Sequence, residues 1–211
     1  QIFPTSPHVQ NFEEFWYYIH MNKKYIIGGI VVLAAVAIII AQKPAQVSSE
    51  GYKNTSYTIE GQFVTLVDGF SEIEAAPGSA SKITTRYFGN EVKHDLNNDG
   101  REDVVSIVTQ ETGGSGVFFY AVAALNTPAG YVGSSAFLLG DRISPQSTSM
   151  DEGTTTQGTK RENVIVVNVM TRAANEPFTA EPTVSKSVWI KLDPATMQFG
   201  EVAQNFEGES R

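Results

Sequence analysis

The sequence predicts a mainly β fold: a single antiparallel β-sandwich-like or meander domain preceded by one N-terminal transmembrane helix. Three observations carry that expectation. From Ser56 onward, short runs rich in Val, Ile, Thr, Phe and Tyr recur between Gly, Asn, Asp and Pro turn signals. Several of these runs alternate apolar and polar residues with the period of two that a half-buried strand requires. The one later stretch with helical character, residues 72–76, is too short to persist and is stopped by Pro77-Gly78.

The strands follow in order. Residues 56–59 and 63–67 flank Glu60-Gly61-Gln62, and Asp68-Gly69 turns the chain into the alternating run 70–74. Residues 82–88 form another strand, which is expected to end at Gly89-Asn90. Residues 104–109 and 117–125 are the most apolar runs outside the N-terminal segment, so they belong at the centre of the sheet. Gly113-Gly114-Ser115-Gly116 joins them; such a run can cradle an anion, but a hairpin connection is the simpler reading. Residues 163–170 and 184–192 follow, with a last strand at 198–202 after Asp193-Pro194. The boundaries read as a linker at 43–56, one β-domain at 57–203 and an acidic tail at 204–211, with a Ser/Thr/Gly-rich loop at 147–160. A stretch of this length forms one domain.

Residues 25–41 carry no charge and no strong polar group, and their 17 residues reach the lower limit for crossing a bilayer as a helix. Within the segment 21–42, an uncleaved anchor is favoured over a cleaved signal peptide, because Ile39-Ile40-Ala41 makes a poor cleavage site. Lys23 and Lys24 precede the apolar run, so the positive-inside rule places the N-terminus in the cytoplasm and the domain outside it, at a bacterial inner membrane. If the segment is cleaved, the domain is secreted. Met21-Asn22-Lys23-Lys24 has the form of an export start. That leaves residues 1–20 either untranslated or a short cytoplasmic tail whose Phe15-Trp16-Tyr17-Tyr18 cluster sits at the membrane interface.

The clearest chemical signal is Asp95-Leu96-Asn97-Asn98-Asp99-Gly100-Arg101-Glu102-Asp103. Side-chain oxygens fall at positions 1, 3, 5 and 9, with a glycine at position 6. Asp95, Asn97 and Asp99 can point inward on alternate residues, Arg101 can offer its backbone carbonyl, and Asp103 can close the ring directly or through water. An all-oxygen, carboxylate-rich loop suits calcium better than zinc or copper. A plain Asx-rich turn is the competing reading, since Asn, Asp and Gly are also ordinary turn residues. The loop is not an EF-hand: Ser106 stands where the bidentate Glu would be, and residues 104–108 read as strand. It resembles the calcium loops of FG-GAP repeats and, more loosely, dockerin modules. A single copy argues against a propeller.

The chain has 23 Asp and Glu against 15 Lys and Arg, a formal net charge of −8. Two lysines and two glutamates before residue 43 cancel, so the whole imbalance falls on the exported part. Such a surface repels phosphate backbones, which excludes nucleic acid as a natural partner. With no cysteine, the fold must stand on its core, helped by any metal it binds.

Several segments, in order, carry a wider resemblance. They are residues 58–67, 76–82 and 85–91, the acidic loop, residues 109–116, and Leu139-Gly140-Asp141-Arg142-Ile143. Together they resemble an uncharacterised bacterial cell-envelope β-domain family, over most of residues 57–202. Relatives usually carry D-L-N-G-D-G where this chain has Asp95-Leu96-Asn97-Asn98-Asp99-Gly100, a change at a non-ligand position, and some continue into a META domain. The resemblance implies an envelope location and a domain boundary; it implies no activity.

Catalysis needs a nucleophile, a base and an orienting group within reach. The exported part has one histidine, His94, whose simpler reading is a solvated residue before a turn. There is no nucleophile elbow, histidine pair or phosphate loop. The expectation is therefore a non-enzymatic, calcium-binding module that binds or scaffolds an envelope protein or polymer. The alternative is a calcium-stabilised hydrolase of envelope polymers with Glu111 or Asp141 as the acid. Gathering of Glu111, Asp141 and Arg86 in one cleft would favour it, although Asp141-Arg142 reads more simply as an ion pair fixing a strand end.

Overall fold

The first strand pair shows how directly alternation is translated. In the computed structural model, which describes residues 51–151, 153–154 and 161–203, β1 (Ser56–Ile59) pairs antiparallel with β2 (Gln62–Thr65). Glu60 and Gly61 form the two-residue turn, with φ of 48° and 77°, the positive values that a tight hairpin needs. One face of the hairpin buries Tyr57, Ile59 and Val64, while Phe63 on the other face remains 82% exposed.

Ahead of β1, a 3-10 turn at Gly51–Asn54 buries Tyr52. Its backbone and side chain receive the turn that follows β2: Gly69 N–H donates to Lys53 O at 2.8 Å and Asp68 N–H to Asn54 Oδ1 at 2.8 Å. The last residues of the expected linker at 43–56 are thus folded into the domain. The reason is the burial of Tyr52, an aromatic residue within an otherwise polar stretch.

A six-stranded antiparallel sheet forms the middle of the domain. Its order is β3 (Phe70–Glu74), β4 (Lys82–His94), β5 (Asp103–Glu111), β6 (Phe118–Thr127) and β7 (Gly130–Gly133), with β8 (Phe137–Asp141) also pairing β6. The expectation that β4 ends at Gly89-Asn90 is corrected. The strand continues to His94 through an irregularity, because Gly89 and Asn90 adopt φ of 113° and 48° and slip the register without breaking the pairing to β5. A second, four-stranded antiparallel sheet runs β12 (Gln198–Glu201), β11 (Val184–Asp193), β10 (Val164–Thr171) and β9 (Ser144–Met150). The expected loop at 147–160 is therefore corrected at its start, where Ser147 to Met150 pair with β10.

Two cores explain why β5 and β6 are the most apolar strands. Ile107, Phe119, Ala121 and Ala123 pack on one side of the six-stranded sheet with Ile165, Val167 and Ile190 of the four-stranded sheet. Val104, Val108, Tyr120 and Val122 pack on the other side with Tyr57, Ile59 and Leu66. Since both faces of β5 are covered, only Glu111 of its nine residues is exposed. Each fully buried aliphatic side chain contributes roughly 1.5–3 kcal/mol of transfer free energy.

Among the described residues no helix is long and apolar enough to cross a membrane. The expected anchor at 25–41, residues 1–20 and the tail at 204–211 lie outside the described residues.

Candidate functional site

The acidic loop links the end of β4 at His94 to the start of β5 at Asp103. Asn98 and Gly100 take φ of 58° and 83°, and these two left-handed residues curl the chain back so that amides face carboxylates. Asp95 accepts from Asp99 N–H at 3.1 Å and from Gly100 N–H at 2.8 Å. Asn97 Oδ1 accepts from the same Asp99 N–H at 3.1 Å, and Asp99 Oδ1 accepts from Arg101 N–H at 2.9 Å.

Asp103 is different. Its side chain is wholly buried, and each carboxylate oxygen accepts one backbone amide, Leu96 N–H at 2.9 Å and Asn126 N–H at 2.8 Å. Leu96 beside it inserts into the main core, so the loop is pinned from within. Burial raises the Asp103 carboxyl above its ordinary value; the two amides pull it back only in part, and the charges of Asp99 and Asp95 add to the rise.

The side chain of Arg101 was not part of the expected site. Its guanidinium pairs with Asp99 Oδ2, which also accepts from Asn97 Nδ2 at 2.9 Å, and its Nε donates to Asn126 O at 2.6 Å. Desolvation of Asp99 is outweighed by the Arg101 amide, the Asn97 amide group and this guanidinium, which leave its carboxyl below the ordinary value. A cation already stands beside the loop, carried by the chain itself. Asn126 of β6 and Asn163, whose Nδ2 donates to Leu96 O at 2.8 Å, are further partners that no local spacing could reveal.

Among the described residues, no group of three or more Asp, Glu, His or Cys side chains is arranged so that it could hold a metal ion. The expected ligands nonetheless fit calcium chemically. Asp95, Asn97 and Asp99 supply oxygens from one short curled loop, the Arg101 carbonyl belongs to the same turn, and buried Asp103 carries a charge that a nearby cation would favour. Asp99 Oδ2 is held by the Arg101 guanidinium, so an ion bound at that oxygen would compete with it.

His94 lies within 3.2 Å of Asn163 Oδ1. A cavity of 590 Å³ beside the loop is lined in part by Lys93, His94, Asn98 and Arg161. Its cations are engaged: Lys93 lies 3.8 Å from Glu102, and Arg161 pairs with Asp151 at 2.6 Å.

Of the residues of the hydrolase alternative, Glu111 and Arg86 are diagonal neighbours on one face of adjacent strands, while Asp141 lies on β8. Glu111 ends β5 opposite Thr84, whereas Arg86 lies opposite Thr109 with its guanidinium 4.7 Å from the Phe70 ring centre. Asp141 ends β8, bonds Arg142 at 2.7 Å and accepts from Val117 N–H at 2.9 Å. Burial alone would raise the Asp141 carboxyl, but Arg142 and the Val117 amide hold it below its ordinary value. Among the described residues no hydrogen bond or ion pair joins any two of Glu111, Asp141 and Arg86. Asp141 and Arg142 secure a strand end.

No family model, curated protein or solved structure matches this chain. The resemblance to an envelope domain rests on the sequence motifs alone.

Proposed function

We propose that this chain is a membrane-anchored, extracytoplasmic binding or scaffolding module of the bacterial envelope, in which the β4–β5 loop holds one calcium ion. Asp95, Asn97 and Asp99 would contribute side-chain oxygens, Arg101 its carbonyl, and Asp103 would close the site directly or through water. The observation that carries the reading is Asp103, a fully buried carboxylate whose charge is opposed both by burial and by the two acids above it. Bound calcium would supply positive charge there and lower the cost of ordering the loop; it would carry no chemistry beyond that clamp. The shared core between the four-stranded and six-stranded sheets supports a sandwich-like description of the domain. The uncharged segment at 25–41 supports the anchor.

The test is a thermal melt of the full chain in detergent, first with EDTA and then with millimolar calcium or magnesium. Free calcium at 100 times the dissociation constant stabilises the fold by about 2.7 kcal/mol. In a domain of this size that raises the melting temperature by roughly 5–10 °C. Asp99→Ala should abolish the calcium shift while melting in EDTA close to the wild type. Equal shifts in mutant and wild type, or none in either, would refute the site.

A further inference from the structure

A second cavity, of 480 Å³, opens on the opposite side of the central sheet from the four-stranded sheet, where the tip of the β1–β2 hairpin ends over β6 and β8. Its volume lies in the range of small-ligand sites. Ile59, Ile83, Phe118 and Leu138 give it apolar walls, and Leu138 is 49% exposed there. The polar groups converge from three directions. Glu60 and Gln62 come from the hairpin tip, Gln110 from β5 and Tyr120 from β6. Among the described residues that line the cavity, only Glu60 is charged.

The hydrogen bonds show what these groups still offer. Tyr120 donates to Glu60 Oε1 at 3.3 Å, a long bond that leaves most of the carboxylate's acceptor capacity unused. Burial, and after it the charge of Glu60, push the Tyr120 hydroxyl up to about 12, so it remains a donor to Glu60 at neutral pH. Gln110 spends its Nε2 on Thr85 Oγ1 at 3.2 Å, which leaves its amide oxygen as an acceptor. The cavity therefore presents free acceptors on Glu60 and Gln110, amide donors on Gln62 and Gln110, and two aromatic rings beside aliphatic walls, with one negative charge and no cation among the described residues that line it.

We infer that this cavity binds a lysine side chain of a partner protein, with its ammonium on Glu60 and its methylene stem against Ile59, Ile83 and Leu138. Charge decides among ligand classes. A carboxylate or phosphate would meet the Glu60 charge with no cation among the described lining residues to offset it, whereas an ammonium would pair with it. A free diamine brings a second charge for which the walls hold no partner. One ammonium on a flexible aliphatic stem satisfies both the acceptors and the aliphatic walls, and the rings of Phe118 and Tyr120 favour a cation over them. The site is separate from the calcium loop, so its binding is expected to be the same in EDTA and in calcium.

The experiment is a titration of the full chain in detergent, carrying labelled Ile and Leu methyl groups and observed by NMR. The probes are the capped amino acids N-acetyl-lysine amide, N-acetyl-norleucine amide and N-acetyl-glutamate amide, with 1,5-diaminopentane as the free-diamine arm. Capped lysine should move the Ile59, Ile83 and Leu138 methyl signals saturably, and Glu60→Gln should weaken that binding about tenfold while melting like the wild type. Capped norleucine binding as well as capped lysine would overturn the assignment, as would diaminopentane binding more tightly. So would the absence of any saturable shift at those three residues, or an undiminished affinity in Glu60→Gln.

Discussion

The hydroxyl of Tyr52 donates to Glu91 Oε2 at 2.8 Å across 39 residues of chain, which ties the entrance of the domain to the irregular stretch of β4. Tyr87 donates to the same oxygen at 2.5 Å, and the Lys53 ammonium lies 4.9 Å from the Tyr87 ring centre. Burial would raise the Glu91 carboxyl, yet the two hydroxyls and then Lys93 and Lys53 hold it below its ordinary value. Its contribution to stability is therefore present above the ordinary carboxylate range and is lost as pH falls through the lowered folded value. Glu91→Gln should flatten the acid limb of a stability–pH curve measured by urea unfolding. Because the carboxylate is exposed, the loss near neutrality should be about 1 kcal/mol or less. An acid limb as steep as the wild type's would exclude this role.

Removal of the buried carboxylate is expected to be costly even without metal. Asp103→Ala leaves the amides of Leu96 and Asn126 without their acceptors. Each unsatisfied buried group costs about 1–3 kcal/mol, so urea unfolding in EDTA should show a loss of about 2–4 kcal/mol. A loss under 1 kcal/mol would mean that water or a shifted backbone satisfies them.

Arg101 should compete with calcium for Asp99. Arg101→Ala keeps the backbone carbonyl but frees Asp99 Oδ2 of the guanidinium. Calorimetric titration should show calcium binding tightened a few-fold and the calcium-free loop loosened. Weaker binding would mean that the guanidinium braces the loop through Asn126 O instead.

Close packing between β7 and the first hairpin should be intolerant of a single methyl group. A Cβ at Gly133 would stand 2.2 Å from Ser56 O and 2.8 Å from Tyr57 Cδ1, and the backbone oxygen cannot swing aside. Gly133→Ala should cost about 1–3 kcal/mol through overpacking. Gly114→Ala, where nothing lies within 4 Å, should stay within about 0.5 kcal/mol. Similar losses at both positions would mean that the hairpin does not dock as described.

Local chemistry made some of this legible beforehand. β1 and β3 match their expected spans because alternation and flanking turn residues decide them without help from the rest of the chain. The central place of β5 and β6 followed from unbroken apolar runs, since only a strand covered on both faces tolerates them. The loop's spacing of oxygens and its glycine turn were likewise visible residue by residue.

Other features belong to the tertiary structure. β7 and β8 lie outside the strands expected from the sequence, and β9, with its Ser, Pro and Gln, overlaps the expected loop at 147–160; they are strands because β6 and β10 offer them backbone partners. β4 continues past Gly89-Asn90 because β5 holds it in register on both sides of the irregularity. At the acidic loop, the sequence determined which oxygens are present, and the fold decided which donors they meet. Asn126 reaches Asp103 from 23 residues away, and Asn163 reaches Leu96 from 67. Periodicity and spacing report forces between near neighbours in the chain. Burial of a charge and the choice of its partners depend on segments that meet only once the chain has folded.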